Sequence, residues 1–69
     1  MRRVQITVNG AADDVADHTT VAALVRDRLE GRTRVAVAVN AEVVPRSRWE
    51  TTPLRPGDSV ELLAATAGG

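Results

Sequence analysis

The chain closes on "AATAGG", with Gly68 and Gly69 last, and the carboxylate at that end is a reactive group in an unusual setting. A C-terminal carboxylate has an ordinary pKa of about 3.3–3.7, so at neutral pH it is ionised and a poor electrophile. It enters acyl chemistry only after a partner converts it to a derivative with a better leaving group, such as an acyl-adenylate. A partner's closed site admits only a thin, extended segment, and Gly, lacking a Cβ, lets foreign backbone approach closely. From Leu63 to Gly69 the chain can extend roughly 20 Å at about 3.3–3.6 Å per residue. Ordering it costs about 1–2 kcal/mol per residue, which docking of a folded body has to offset. The carboxylate at this end, on Gly69, is therefore the expected working group, with Gly68 next to it in the thin segment. Two terminal glycines arise by chance in roughly one chain in 200, so the pair needs a supporting fold before it means anything.

No other side chains assemble into a catalytic set. His18, the single histidine, sits in a polar run with no Ser or Cys close in sequence, and reads as a solvated loop residue. Asp13, Asp14 and Asp17 cluster, but without supporting ligands they read as the solvated edge of a hairpin. Trp49, the only aromatic residue, reads as packing in a thin core rather than a ligand platform. Arg46 and Arg48 could clamp an acidic partner or simply line a solvated turn. No P-loop, CxxC, HExxH or EF-hand spacing is present. The reading is a non-enzyme that binds no cofactor or metal of its own.

Composition narrows the classes further. The 69 residues make one domain and a small core, with no Cys to staple it. All nine basic residues are Arg, matched by nine acidic ones. No basic stripe with interleaved aromatics suggests nucleic acid. Without Lys there is no Schiff-base amine and no side-chain amine to accept an acyl group from the tail. No signal-peptide pattern opens the sequence, and no apolar run approaches the roughly 20 residues that cross a bilayer. These features fit a cytoplasmic protein with no membrane association.

The elements that must position the tail are legible from periodicity. In "RVQITVNG", Val4, Ile6 and Val8 alternate with Arg3, Gln5 and Thr7, a half-buried strand. Asn9-Gly10 is a hairpin signal of type I′, and a polar edge strand follows through Ala12 to Ala16. Val21, Leu24, Val25 and Leu29 share one helical face, with Thr20 as N-cap and Gly31 suited to the left-handed position past the end. The helix is about ten residues long and needs a sheet to cover. Val35, Val37 and Val39 then alternate with Ala36 and Ala38 in a central strand, which turns at Asn40-Ala41 into a short strand ending at Pro45. Ser47 and Glu50 have capping-box spacing, so one helical turn is expected there. "RPGD" is a turn, and "SVELLAA" the last strand, with Val60 and Leu62 inward. The order β-β-α-β-β-β predicts an α+β fold of the β-grasp (ubiquitin-like) kind: a mixed sheet, one main helix across one face, the last strand parallel to the first. Residues 1–64 form the body and 65–69 a flexible C-terminal tail. The small-residue face bearing Ala36 and Ala38, with Leu63 on the adjoining strand, is the candidate docking surface; ordinary exposed apolar surface is the alternative.

"TTVAALV", "VAVNAEVVPRSRW", "LRPGDSVELL" and the closing "GG" together resemble the ThiS family, ubiquitin-like sulfur carriers of thiamine biosynthesis. The resemblance spans essentially the whole chain; Asn40-Ala41 departs from the frequent Asn-Gly, which weakens that turn. It implies a cycle. An E1-like adenylyltransferase similar to ThiF uses ATP to adenylate Gly69. Sulfur from a donor such as a cysteine desulfurase replaces AMP and gives a thiocarboxylate, and a ThiG-like thiazole synthase takes that sulfur into the thiazole ring. A carrier for another pathway, of the molybdopterin type, shares fold and tail, and so does a protein modifier that acylates target lysines.

Overall fold

The computed structural model describes residues 2–32 and 34–65. Five strands and one α-helix follow in the expected order: β1 Arg3–Val8, β2 Ala11–Ala16, α1 Val21–Arg28, β3 Val35–Val39, β4 Glu42–Val43 and β5 Ser59–Ala64. A 3₁₀ segment, Arg46–Thr51, precedes β5. The sheet order is β2-β1-β5-β3-β4. β5 lies in the middle, parallel to β1 and antiparallel to β3. The strand that leads to the carboxyl terminus is thus held from both sides, and the β-grasp expectation stands.

One face of the sheet is covered and the other is open. Val4, Ile6, Val15, Val37 and Val60 point toward α1, whose Val21, Ala22, Leu24 and Val25 are buried against them. The helix begins where Thr20 Oγ1 accepts from the Ala23 amide at 3.2 Å. It ends two residues sooner than the periodicity suggests, because Leu29 leaves helical geometry at φ −125° while still packing on the core. Gly31 takes φ +84° just beyond. Among the described residues no helix is long and apolar enough to cross a membrane.

The capping box does not form. The 3₁₀ segment starts at Arg46, so Ser47 lies inside it and cannot serve as its cap; Pro45 takes that position with no side-chain bond. Short-range closure replaces the box, with the Arg48 amide donating to the Pro45 carbonyl at 2.8 Å. Trp49 then locks the segment down. It is 8% exposed, and its indole N–H donates to the Val44 carbonyl at 2.8 Å.

Both two-residue hairpin loops have the backbone of type I′ turns. Asn9 and Gly10 have φ 50° and 83°; Asn40 and Ala41 have φ 51° and 70°. Ala41 holds a conformation that costs an L-residue with a Cβ about 1–2 kcal/mol. Ala41→Gly is therefore expected to stabilise the domain by about 1 kcal/mol once the extra freedom of Gly in the unfolded chain is subtracted. In a domain this small that raises Tm by roughly 4–8 °C, readable from the thermal transition of Trp49 fluorescence.

Candidate functional site: the open sheet face beside the carboxyl end

The face away from α1 is built by the outward residues of β3, β4 and β5. Ala36 pairs directly across from Leu63, and Ala38 lies between Glu61 and Val43. Leu63 is 71% exposed and Val43 78%, and these are the exposed large hydrophobic residues among the described positions. The small Ala36 and Ala38 side chains lie between the two larger residues, so an apolar stripe runs diagonally from Val43 to Leu63, bordered by the exposed Glu61 opposite Ala38. The structure places Ala36, Ala38 and Leu63 on one face, as the sequence grouping expects, and adds Val43, which that grouping leaves out. The signal was present. A two-residue I′ loop at Asn40-Ala41 forces Val39 opposite Glu42 and Ala38 opposite Val43, which puts Val43 outward. Val44 turns inward, its amide donating to the Val37 carbonyl at 2.9 Å.

The stripe continues to the point where β5 runs out of the sheet. A shallow depression there is lined by Arg34, Val35, Ala36, Leu63, Ala64 and Ala65. The Ala65 amide donates to the Arg34 carbonyl at 3.0 Å, so pairing with the β3 side persists to this residue. Gly68 and Gly69 lie outside the described residues, as does most of the segment 65–69 expected to be a flexible tail.

The other chemistry-bearing residues lie apart from this face or in local structural contacts. Arg46 lies over the Trp49 ring, with its guanidinium carbon 4.9 Å from the centroid, the geometry of a cation–π contact. Arg48 is exposed, and its carbonyl accepts from the Thr52 hydroxyl at 2.7 Å. Asp13 on β2 forms an ion pair with Arg28 on α1, tying the edge strand to the helix. Asp14 accepts at its backbone carbonyl from Arg3, and Asp17 lies 3.7 Å from His18. His18 is exposed at φ 71°, in the loop before α1 as its neighbours suggested. Among the described residues no three His, Cys, Asp or Glu side chains are grouped to hold a metal ion.

A mixed five-stranded sheet with one helix across one face, its last strand central and parallel to the first, is the β-grasp, ubiquitin-like fold. The chain matches the model of the ThiS family over residues 3–69. It is 32% identical over 66 residues to the sulfur carrier protein ThiS of Escherichia coli (strain K12), covering 96% of this chain and 100% of that protein. It is 30% identical over 66 residues to a thiazole synthase of Paramagnetospirillum magneticum, of whose length it spans 20%. The crystal structure of the thiamine biosynthesis protein ThiS from Geobacter metallireducens superposes with a TM-score of 0.79 at 32% identity, covering 96% of this chain and 100% of that one. This chain belongs to the ThiS family.

Proposed function

We propose that this chain carries sulfur for thiazole formation in thiamine biosynthesis, bound as a thiocarboxylate on Gly69. The observation that carries the reading is that the family match spans residues 3–69 and so takes in Gly68 and Gly69 together with the β-grasp body. A carboxylate oxygen of Gly69 attacks the α-phosphorus of ATP in an adenylating partner of the ThiF kind, and pyrophosphate leaves. A sulfur nucleophile, supplied by a cysteine desulfurase or a related donor, then attacks the acyl carbon, and AMP leaves. Where that nucleophile is hydrosulfide the product is the thiocarboxylate directly. Where it is a persulfide the product is an acyl disulfide, which a thiol reductant cleaves to the thiocarboxylate while itself being oxidised to a disulfide. The thiocarboxylate then passes its sulfur to a thiazole synthase. Similarity to a segment of a thiazole synthase supports that last partnership, since a carrier and its acceptor gain from being tethered. In this cycle Gly68 is the neck that enters the partner's site. Ala36, Ala38, Leu63 and Val43 are the surface by which the body docks. Intact mass after incubation with the adenylating enzyme, ATP and a sulfur source tests the reading. The chain should gain the mass difference between sulfur and oxygen at its carboxyl terminus. Adducts on other proteins instead would identify a modifier.

The docking surface is tested separately. Leu63→Asp and Val43→Asp are each expected to lower kcat/KM for adenylation roughly tenfold or more, since burying such a side chain contributes about 1.5–3 kcal/mol. Both positions are exposed in the free chain, so Tm should move by no more than a few degrees. Unchanged adenylation kinetics in both variants would remove this face from the reading.

A further inference from the structure

β5 does not have equal support along its length. On the β1 side the ladder is short: Thr7 lies opposite Ser59 and Val8 opposite Val60. The Thr7 amide donates to the Asp58 carbonyl at 2.9 Å, and the Asn9 amide to the Val60 carbonyl at 2.8 Å. There β1 ends, because Asn9 and Gly10 turn the chain back into β2 at positive φ. The next residue of β5 that faces this side is Leu62, whose backbone would have lost its neighbour. The Asn9 side chain takes the place of the missing strand. Its Oδ1 accepts from the Leu62 amide at 2.8 Å, and its Nδ2 donates to the Leu62 carbonyl at 3.2 Å. A side-chain carboxamide has the donor and acceptor of a peptide group, so it extends the parallel ladder by one step.

The β3 side is different. There pairing continues through Ala36–Leu63 and Val35–Ala64 to the Ala65 amide. Among the described residues Asn9 is therefore the last backbone grip on β5 from the β1 side. With the grip, β5 is held from both sides as far as Leu62. Without it, the backbone from Glu61 onward is hydrogen-bonded to β3 alone, with the packing of the Leu62 side chain on the core as its other tie, and has more freedom to swing about that single ladder.

We infer that Asn9 is a positioning residue for the carboxyl-terminal carrier, fixing the direction in which β5 delivers the tail to the adenylating partner. The inference rests on the reading of Gly69 as the carrier. A tail that leaves the body in one direction reaches the partner's site with less ordering cost than one that must first be gathered from many. The contribution falls on productive docking and not on the chemical step, which takes place beyond Gly68.

Asn9→Gly is the appropriate variant. Gly-Gly suits a type I′ turn, so the hairpin is kept while the carboxamide is lost. Asn9→Asp is the second variant. It also suits the turn, but it replaces the Nδ2 donor with an oxygen that faces the Leu62 carbonyl. Both full-length variants are assayed for adenylation by following pyrophosphate release against carrier concentration. Amide hydrogen exchange is followed at Leu62. The expected result for Asn9→Gly is exchange at Leu62 faster by about tenfold, KM for the carrier higher by about tenfold, and kcat within about twofold of the parent. Asn9→Asp should raise KM in the same direction. Faster exchange with an unchanged KM would overturn the inference, leaving the clasp a structural feature only. Unchanged exchange would overturn it at its base. If the parent chain itself is never adenylated, the carrier reading has failed and takes this inference with it. Normal loading of the parent with no KM effect in either variant defeats the positioning role alone.

Discussion

Deletion of Gly69 is expected to reduce thiocarboxylate formation by at least about 10³-fold while leaving the thermal transition where it was. The truncated chain still ends in a carboxylate, on Gly68, so the chemistry of the group is unchanged. What changes is its reach. Removing one residue withdraws the carboxylate by about 3.3–3.6 Å, and a misplacement of about 1 Å can already cost 10²-fold when the reacting groups must meet in a fixed geometry. Gly69→Ala provides the control. It keeps the reach and adds one Cβ in the partner's channel, so it should lose less than the deletion does. Stability is not at stake in either variant, because the buried core runs from Val4 to Val60. Intact-mass measurement of the loaded fraction over time checks the first expectation and Trp49 fluorescence the second. Rapid loading of the truncated chain would show that the body, and not the terminal residue, sets the reaction.

Leu24→Ala is expected to have the opposite profile, with a large loss of stability and no direct effect on the reacting group. Leu24 is 2% exposed, on the face of α1 that covers the sheet. Truncating such a side chain costs about 2–5 kcal/mol, part transfer and part cavity. At roughly 0.05–0.15 kcal/mol per residue a chain of this length has only about 3–10 kcal/mol in total. An eight-residue helix has no stability of its own to fall back on. Tm should therefore fall by at least about 10 °C, with the urea midpoint lowered in step. Loading at low temperature, where the folded fraction is restored, should approach that of the parent. A Leu24→Ala chain that melts within a degree or two of the parent would mean that α1 is not the principal cover of this core.

How much of this was legible in the sequence differs between elements. The alternation in Arg3–Val8 and Val35–Val39 marked the inward residues correctly, because a strand has only two faces and Val, Ile and Ala distinguish them. The Thr20 cap was also legible, since its hydroxyl acts within one turn. The Ser47–Glu50 capping box does not form because a spacing of three does not say where the segment starts, and the cap falls at Pro45, two residues before Ser47. Val43 was missed for a related reason. Adjacent valines at 43 and 44 must point in opposite directions, and only the pairing partner decides which one is outward.

By itself the sequence determined the β-grasp order of elements, the inward residues of its strands, and the Gly68-Gly69 pair on which the carrier proposal rests. These are local or periodic properties, written in neighbouring residues. Only the tertiary structure decided that Val43 joins Leu63 on one open face, and that Asn9 grips Leu62 from 53 positions away in the chain. The two-residue loop at Asn40-Ala41 fixes locally that Val43 faces outward, but which strands lie side by side, and where one ends beside another, is set by contacts distant in the chain that no local pattern encodes.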